Sequence, residues 1–148
     1  MNRQLPQRGF SLMELMIVVA IVAILGAVAY PGYSSYIQRG RITEATVTLS
    51  ELRIKLEQYY QDHRNYGSTS AACGIALPTD SSLRFTYTCN WGAGGNDQGF
   101  LLTATGAASG GMAGYAFTVD HTNAKQTTAF PGVTGTKNCW LLKKGDSC

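Results

Sequence analysis

The stretch Arg8-Gly9-Phe10-Ser11-Leu12-Met13-Glu14, continuing as LMIVVAIVAILGAVAY to Tyr30, decides how the rest of the chain must be read. From Phe10 to Tyr30 the run is apolar except for one ionised side chain, Glu14, near its start. At about 1.5 Å per residue it makes roughly 31 Å of helix, enough to cross the hydrocarbon core of a bilayer. A carboxylate inside such a span costs about 2.5 to 3.5 kcal/mol unless it is paired or lies near an interface. A plain membrane anchor has no use for it. A secretory signal peptide cut before Tyr30, after the small-x-small Ala27-Val28-Ala29, suits the basic residues Arg3 and Arg8. It gains nothing from an acid, however, and its apolar region is ordinarily shorter. Glu14 asks for a partner of opposite charge.

A short basic leader, the junction Gly9-Phe10, Glu14 at fixed spacing and the long apolar helix behind closely resemble the N-terminal signature of type IV pilins. The resemblance implies that a prepilin peptidase cuts between Gly9 and Phe10 and that the new N-terminal Phe10 is methylated on its amine. It further implies that Glu14 neutralises the amine of Phe10 in a neighbouring subunit during assembly. Pro31 stands where pilin helices commonly carry a proline. The implied location is the inner membrane of a Gram-negative bacterium for the prepilin, then the extracellular pilus. The implied partners are other pilin subunits, the prepilin peptidase and N-methyltransferase, and the pilus assembly platform.

Length and charge bound the remainder. The 148 residues suffice for one domain behind an N-terminal helix. The formal charge is +3, but two of the twelve basic side chains, Arg3 and Arg8, lie in the leader. Without them ten basic residues face nine acidic ones, a balance that implies no strong polyanion partner. The organisation expected is a leader over 1–9, a membrane or filament-core helix over 10–30, an amphipathic arm over 31–63 and a head over 64–148.

All four cysteines, Cys73, Cys89, Cys139 and Cys148, lie beyond the membrane stretch, and an even number in an exported domain reads as disulfides. Three pairings are open. We expect Cys73 with Cys89 and Cys139 with Cys148, because each closes a short loop; a loop like the first is worth about 3 kcal/mol in the chain-entropy model. No two-residue cysteine spacing occurs and His63 and His121 are isolated, so no metal and no cofactor are expected.

Beyond Tyr30 the apolar residues Ile42, Ala45, Leu49, Leu52, Leu56 and Tyr59 recur at a 3-4 spacing that places them on one helix face, the expected core stripe. Arg41, Glu44, Glu51, Arg53, Lys55 and Glu57 fall on the opposite side, with Glu51 and Lys55 in the favourable i,i+4 order. Pro31-Gly32 removes a hydrogen bond and lowers helix propensity, so a kink or local unwinding is expected there. In the resembled family the helix partly melts near this proline on filament packing.

The segment from Asn65 to Leu83 reads as a helix-to-sheet loop. Alternating strands are expected at Arg84 to Asn90, Gly99 to Thr105 and Gly114 to Asp120, with a fourth at Asn138 to Lys143. The fold class is therefore α+β: a long N-terminal helix packed on an antiparallel sheet of about four strands, as the pilin resemblance also implies. The Gly-rich separators GAGGNDQG and GAASGGMAG lie between strands and lack a following lysine-serine pair, so they read as turns and not as phosphate loops. No nucleophile, base and acid fall into a catalytic constellation, so no enzyme is expected.

The function implied by the resemblance is a structural subunit, major or minor, of a type IV pilus. Two other classes compete. A type II secretion pseudopilin shares the N-terminal segment, but typically carries an acid-rich calcium loop near its C-terminus where this chain has only Asp146. A DNA-binding pilin for natural transformation needs a basic surface with stacking aromatics, for which Lys125, Lys137, Lys143, Lys144 and Trp140 are candidates. In pilins the C-terminal disulfide loop is exposed and governs adhesion, which makes Lys143 and Lys144 the candidate DNA or adhesion surface. The Cys139-Trp140 pair is similar to the PilE-like group of minor pilins.

Overall fold

The computed structural model describes residues 9–69, 72–80, 83–92 and 98–148. Of residues 1–9, expected as a leader, only Gly9 falls among them, and most of the Gly-rich GAGGNDQG segment lies outside them. One long helix, α1 (Leu12–His63), is followed by β1 (Gly67–Thr69), β2 (Ala72–Cys73), β3 (Phe85–Trp91), β4 (Phe100–Gly106), β5 (Ala116–Asp120) and β6 (Lys125–Ala129). The chain divides into two compact units, Met1–Ile37 and Gln38–Cys148.

Ser11 starts α1. Its hydroxyl oxygen accepts the Glu14 N–H (3.2 Å), satisfying one of the orphan donors of the first turn, while its carbonyl accepts the Leu15 N–H (3.2 Å), the first bond of the helix ladder. The helix runs on through Pro31-Gly32 without a break. The local unwinding expected there does not occur, because a lost hydrogen bond is a local defect that intact turns on both sides can hold in register. In the Thr- and Ser-rich stretch Thr43 to Ser50, hydroxyls find their partners within the helix, at carbonyls one turn back. Thr43 donates to the Arg39 carbonyl (2.9 Å), Thr48 to that of Glu44 (3.0 Å) and Ser50 to that of Thr46 (2.8 Å). The helix ends where Arg64 turns left-handed (φ 58°) and its N–H closes on the Tyr60 carbonyl (2.8 Å).

In the second unit, Ile42, Ala45, Leu49, Leu52 and Leu56 are buried, as their spacing predicts. Tyr59 departs from the stripe: it is half-buried, stacked flat on His63 with ring centroids 3.9 Å apart. On the other side of the helix, the intrahelical ion pair among the described residues is Arg53–Glu57 (3.7 Å) rather than Glu51–Lys55, and Glu44 reaches Arg84 (3.0 Å).

The stripe packs on a four-stranded antiparallel sheet of order β3-β4-β5-β6. Alternation sends Phe85 and Tyr87 of β3, Phe100, Leu102 and Ala104 of β4, and Phe117 and Val119 of β5 into the core. The small Ala104 lies opposite both Tyr87 and Phe117, so large rings flank a gap they can fill. Three strands fall within two residues of their expected positions. The fourth is corrected. It is β6, the polar KQTTA, while Asn138 to Lys143 forms an irregular loop. β6 qualifies because only Thr127 must face inward, and that hydroxyl finds partners in the loop. The loop segment fails because side chains take its backbone N–H groups: the Thr127 hydroxyl accepts that of Leu141, and the Asp146 carboxylate accepts those of Leu142 and Lys143. Within the stretch read as a loop, Asn65 to Leu83, β1 and β2 form a two-stranded hairpin.

Met112 is fully buried although its neighbours in the β4–β5 connection are Gly and Ala. Arg41 of α1 donates to the Gly110 carbonyl (3.2 Å) and holds this connection against the helix.

Candidate functional site

Two regions carry the side chains singled out from sequence. The first is the start of α1. Every large apolar residue from Phe10 to Tyr30 is exposed, Phe10 at 79%. An 18-residue window within the helix has a mean hydropathy of 2.7. These residues cover all sides of the helix, and among the described residues nothing buries them together. A surrounding apolar phase must do so, whether lipid or neighbouring helices. Leu12, Met13, Leu15, Ile17, Val18, Ile21, Val22 and Leu25 all belong to this exposed set.

Glu14 occupies the third helical position, where a negative charge is favoured by the unpaired N–H groups and the dipole of the helix start. Ser11 and Glu14 form the S-x-x-E pattern of a capping box, a signal present in the sequence that the charge-based reading passed over. Gly9 and Phe10 precede the helix. A Cβ added at Gly9 meets nothing within 4 Å, so packing in this chain does not require glycine there.

The second region is the C-terminal loop. Cys139 and Cys148 are disulfide-bonded with Cα atoms 5.5 Å apart, and Cys73 bonds Cys89 with Cα atoms 5.9 Å apart. Trp140 donates its indole N–H to the Thr118 carbonyl (2.8 Å), and the Lys125 ammonium lies 4.8 Å from its ring centroid. Lys137 pairs through its backbone with Thr127. At the loop tip, one Asp146 carboxylate oxygen accepts the N–H groups of Leu142 (3.1 Å) and Lys143 (3.0 Å); the other faces the Lys143 ammonium (3.8 Å). Asp146 therefore serves as the cap of the turn that presents Lys143 and Lys144, both exposed. Leu142, exposed between Leu141 and these lysines, adds an apolar side chain to the same tip.

The histidines are kept apart. His63 stacks on Tyr59, and His121 lies edge-on to Phe100 with its Nδ1 buried. Among the described residues no group of three or more His, Cys, Asp or Glu side chains converges as metal ligands would. The Asp120 carboxyl is held below its ordinary pKa. Burial pushes it up, but hydrogen bonds from the Thr122 hydroxyl and from the Ala124 and Thr122 N–H groups outweigh burial and hold it low. Its role is to close the β5–β6 turn.

Residues 31–116, more than half of the chain, match the family model described as "Type IV minor pilin ComP, DNA uptake sequence receptor". The chain belongs to this family of type IV pilins. Residues 5–30 of the pilin match a second model, the prokaryotic N-terminal methylation motif. The pilin is 36% identical over 103 residues to a fimbrial protein of Neisseria meningitidis, covering 70% of this chain and 57% of that protein. It is 40% identical over 72 residues to the type IV major pilin protein PilE1 of Neisseria gonorrhoeae, covering 49% of this chain and 44% of that protein. The pilin thus spans about half the length of these curated relatives. A solved type IV pilin from Shewanella oneidensis aligns at 18% identity and a TM-score of 0.48, over 70% of this chain and 98% of that one; the family assignment does not rest on it.

Proposed function

We propose that this pilin is a structural subunit of a type IV pilus, of the minor class, stored in the inner membrane as a prepilin and assembled through the first half of α1. The observation that carries the reading is the exposed apolar helix whose single carboxylate, Glu14, stands one turn behind the Gly9-Phe10 junction, within a segment matching an N-terminal methylation motif. On this reading a prepilin peptidase cleaves between Gly9 and Phe10 and the Phe10 amine is methylated. The cationic amine of one subunit then neutralises Glu14 of its neighbour in the filament core. The pairing gives register, since an unpaired carboxylate in an apolar medium is costly and one at the right height is not. The platform and the processing enzyme are partners, and the subunit itself performs no catalysis.

Glu14→Ala tests the role. The variant should insert and be cleaved normally, while its recovery in sheared filaments falls by roughly tenfold or more, the scale of losing one partner of a charge pair in an apolar core. Normal incorporation would refute the assembly role.

A second reading has its own support: the head binds DNA. The family model that matches is described as a DNA uptake sequence receptor, and the cations Lys125, Lys137, Lys143 and Lys144 lie on or beside the loop that carries Trp140. A near-neutral protein can still bind a polyanion through a local cluster, because each phosphate neutralised releases counterions. Changing Lys143 and Lys144 to Gln should weaken binding to double-stranded DNA and flatten its salt dependence by a slope of about two. Unchanged binding would assign the DNA surface elsewhere.

A further inference from the structure

Thr127 is 1% exposed, lies mid-way along β6 and spends all its hydrogen-bonding capacity on one distant segment. Its N–H donates to the Lys137 carbonyl (2.9 Å) and its carbonyl accepts the Lys137 N–H (3.0 Å). Its hydroxyl donates to the Cys139 carbonyl (2.7 Å) and accepts the Leu141 N–H (3.0 Å). Residues 137–141 thereby cover the open edge of the sheet, where among the described residues β6 has no further strand beside it. Leu141 is buried as a result, and Trp140 is brought to Thr118 and under Lys125.

The disulfide starts from the same stem, at Cys139, and closes the loop from there to Cys148. From Cys139 it ties down Leu142 to Cys148, the part beyond the last of these bonds. We infer that Thr127, and not the Cys139–Cys148 bond, fixes the stem of the C-terminal loop, and that Thr127 is thereby the positioning residue for the surface bearing Trp140, Lys143 and Lys144. The stem is locked by a side chain in the sheet, so the loop tip can be opened or varied without moving its base. The consequence for DNA rests on the second reading above; the positioning itself does not.

The test uses the full chain in detergent micelles, comparing wild type, Thr127→Val, Thr127→Ser and the double variant Cys139→Ser/Cys148→Ser. Hydrogen exchange is followed at the Leu141 amide, together with the emission of Trp140 in a Trp91→Phe background. Thr127→Val keeps the shape and strands two buried groups, so Leu141 should exchange at least about tenfold faster and Trp140 emission should move to the red. Thr127→Ser should restore both. The cysteine variant should keep Leu141 within about threefold of wild type. Equal exchange in wild type and Thr127→Val would overturn the inference, as would a cysteine variant that loses Leu141 protection as fully as Thr127→Val does. Should Thr127→Val unfold throughout, shown by loss of protection at Leu102 in β4, the cysteine variant decides alone by the same criterion. For function, Thr127→Val should weaken binding to double-stranded DNA as much as the Lys143 and Lys144 substitutions, with Thr127→Ser rescuing it. Wild-type binding that Thr127→Val leaves unchanged would overturn the positioning role for DNA. No binding by wild type would instead remove the DNA reading, and Leu141 exchange would still judge Thr127.

Discussion

Up to Ile37, α1 exposes apolar side chains on every side; from Gln38 onward the same helix buries one stripe, Ile42 to Leu56, and turns its charges outward. Both halves are helical, so helix formation does not distinguish them. What differs is where the apolar surface is satisfied. The second half finds its partner, the β3–β6 sheet, within the chain and belongs to a self-contained core. The first half has none there, and an apolar helix without an internal partner requires one outside, first lipid and then other subunits on the reading proposed above.

Matched truncations on the two halves should separate these requirements most sharply. Leu52→Ala removes a buried side chain and should cost the head about 2 to 5 kcal/mol, read as a fall in the thermal midpoint. Leu15→Ala removes an exposed one and should leave that midpoint within about 0.5 kcal/mol, its effect falling on subunit recovery in filaments instead. Equal destabilisation by both would break the comparison.

A smaller effect sharpens it within the head. Because the folded pKa of Asp120 is lowered, its ionised form stabilises the β5–β6 turn above the ordinary carboxylate value of about 4, and that contribution is lost as pH falls through the lowered folded value. The protection factor of the Ala124 amide should therefore drop between about pH 5 and pH 2, ahead of that of Leu102, and Asp120→Ala should abolish the pH dependence. A flat profile in wild type would contradict the assignment. Smallest of all, Glu44→Ala removes the exposed pair with Arg84 and should cost no more than about 1 kcal/mol, diminishing with salt. A larger loss would show that the helix depends on its outward face as well as on its stripe.

The helix stripe was legible because a 3-4 spacing of Ile42, Ala45, Leu49, Leu52 and Leu56 admits one geometry, and β3 to β5 were legible because Phe, Tyr, Leu and Val alternate with polar residues. β6 was not. Its sequence is polar, and Thr127 becomes an inward residue only through Cys139 and Leu141, which are distant in the chain. The apolar look of Trp140-Leu141-Leu142 suggested a strand for the same reason in reverse: each side chain is used differently, one against Thr118, one in the core and one in solvent. Met112 left no trace either, since a lone apolar residue among glycines has no period. At the N-terminus the charge of Glu14 was legible and the cap beneath it was equally available, as Ser11 stands three residues before.

The account turns on whether the apolar half of α1 is exposed for assembly after cleavage at Gly9. Intact-mass spectrometry on filaments sheared from the cell surface, run with and without reductant, tests this directly. The predicted species is N-methylated Phe10 to Cys148, lighter by four hydrogens for its two disulfides, present in amounts well below those of a major subunit. Absence from filaments, together with recovery from cells of a protein that begins at Tyr30, would contradict it and make the apolar stretch a signal peptide.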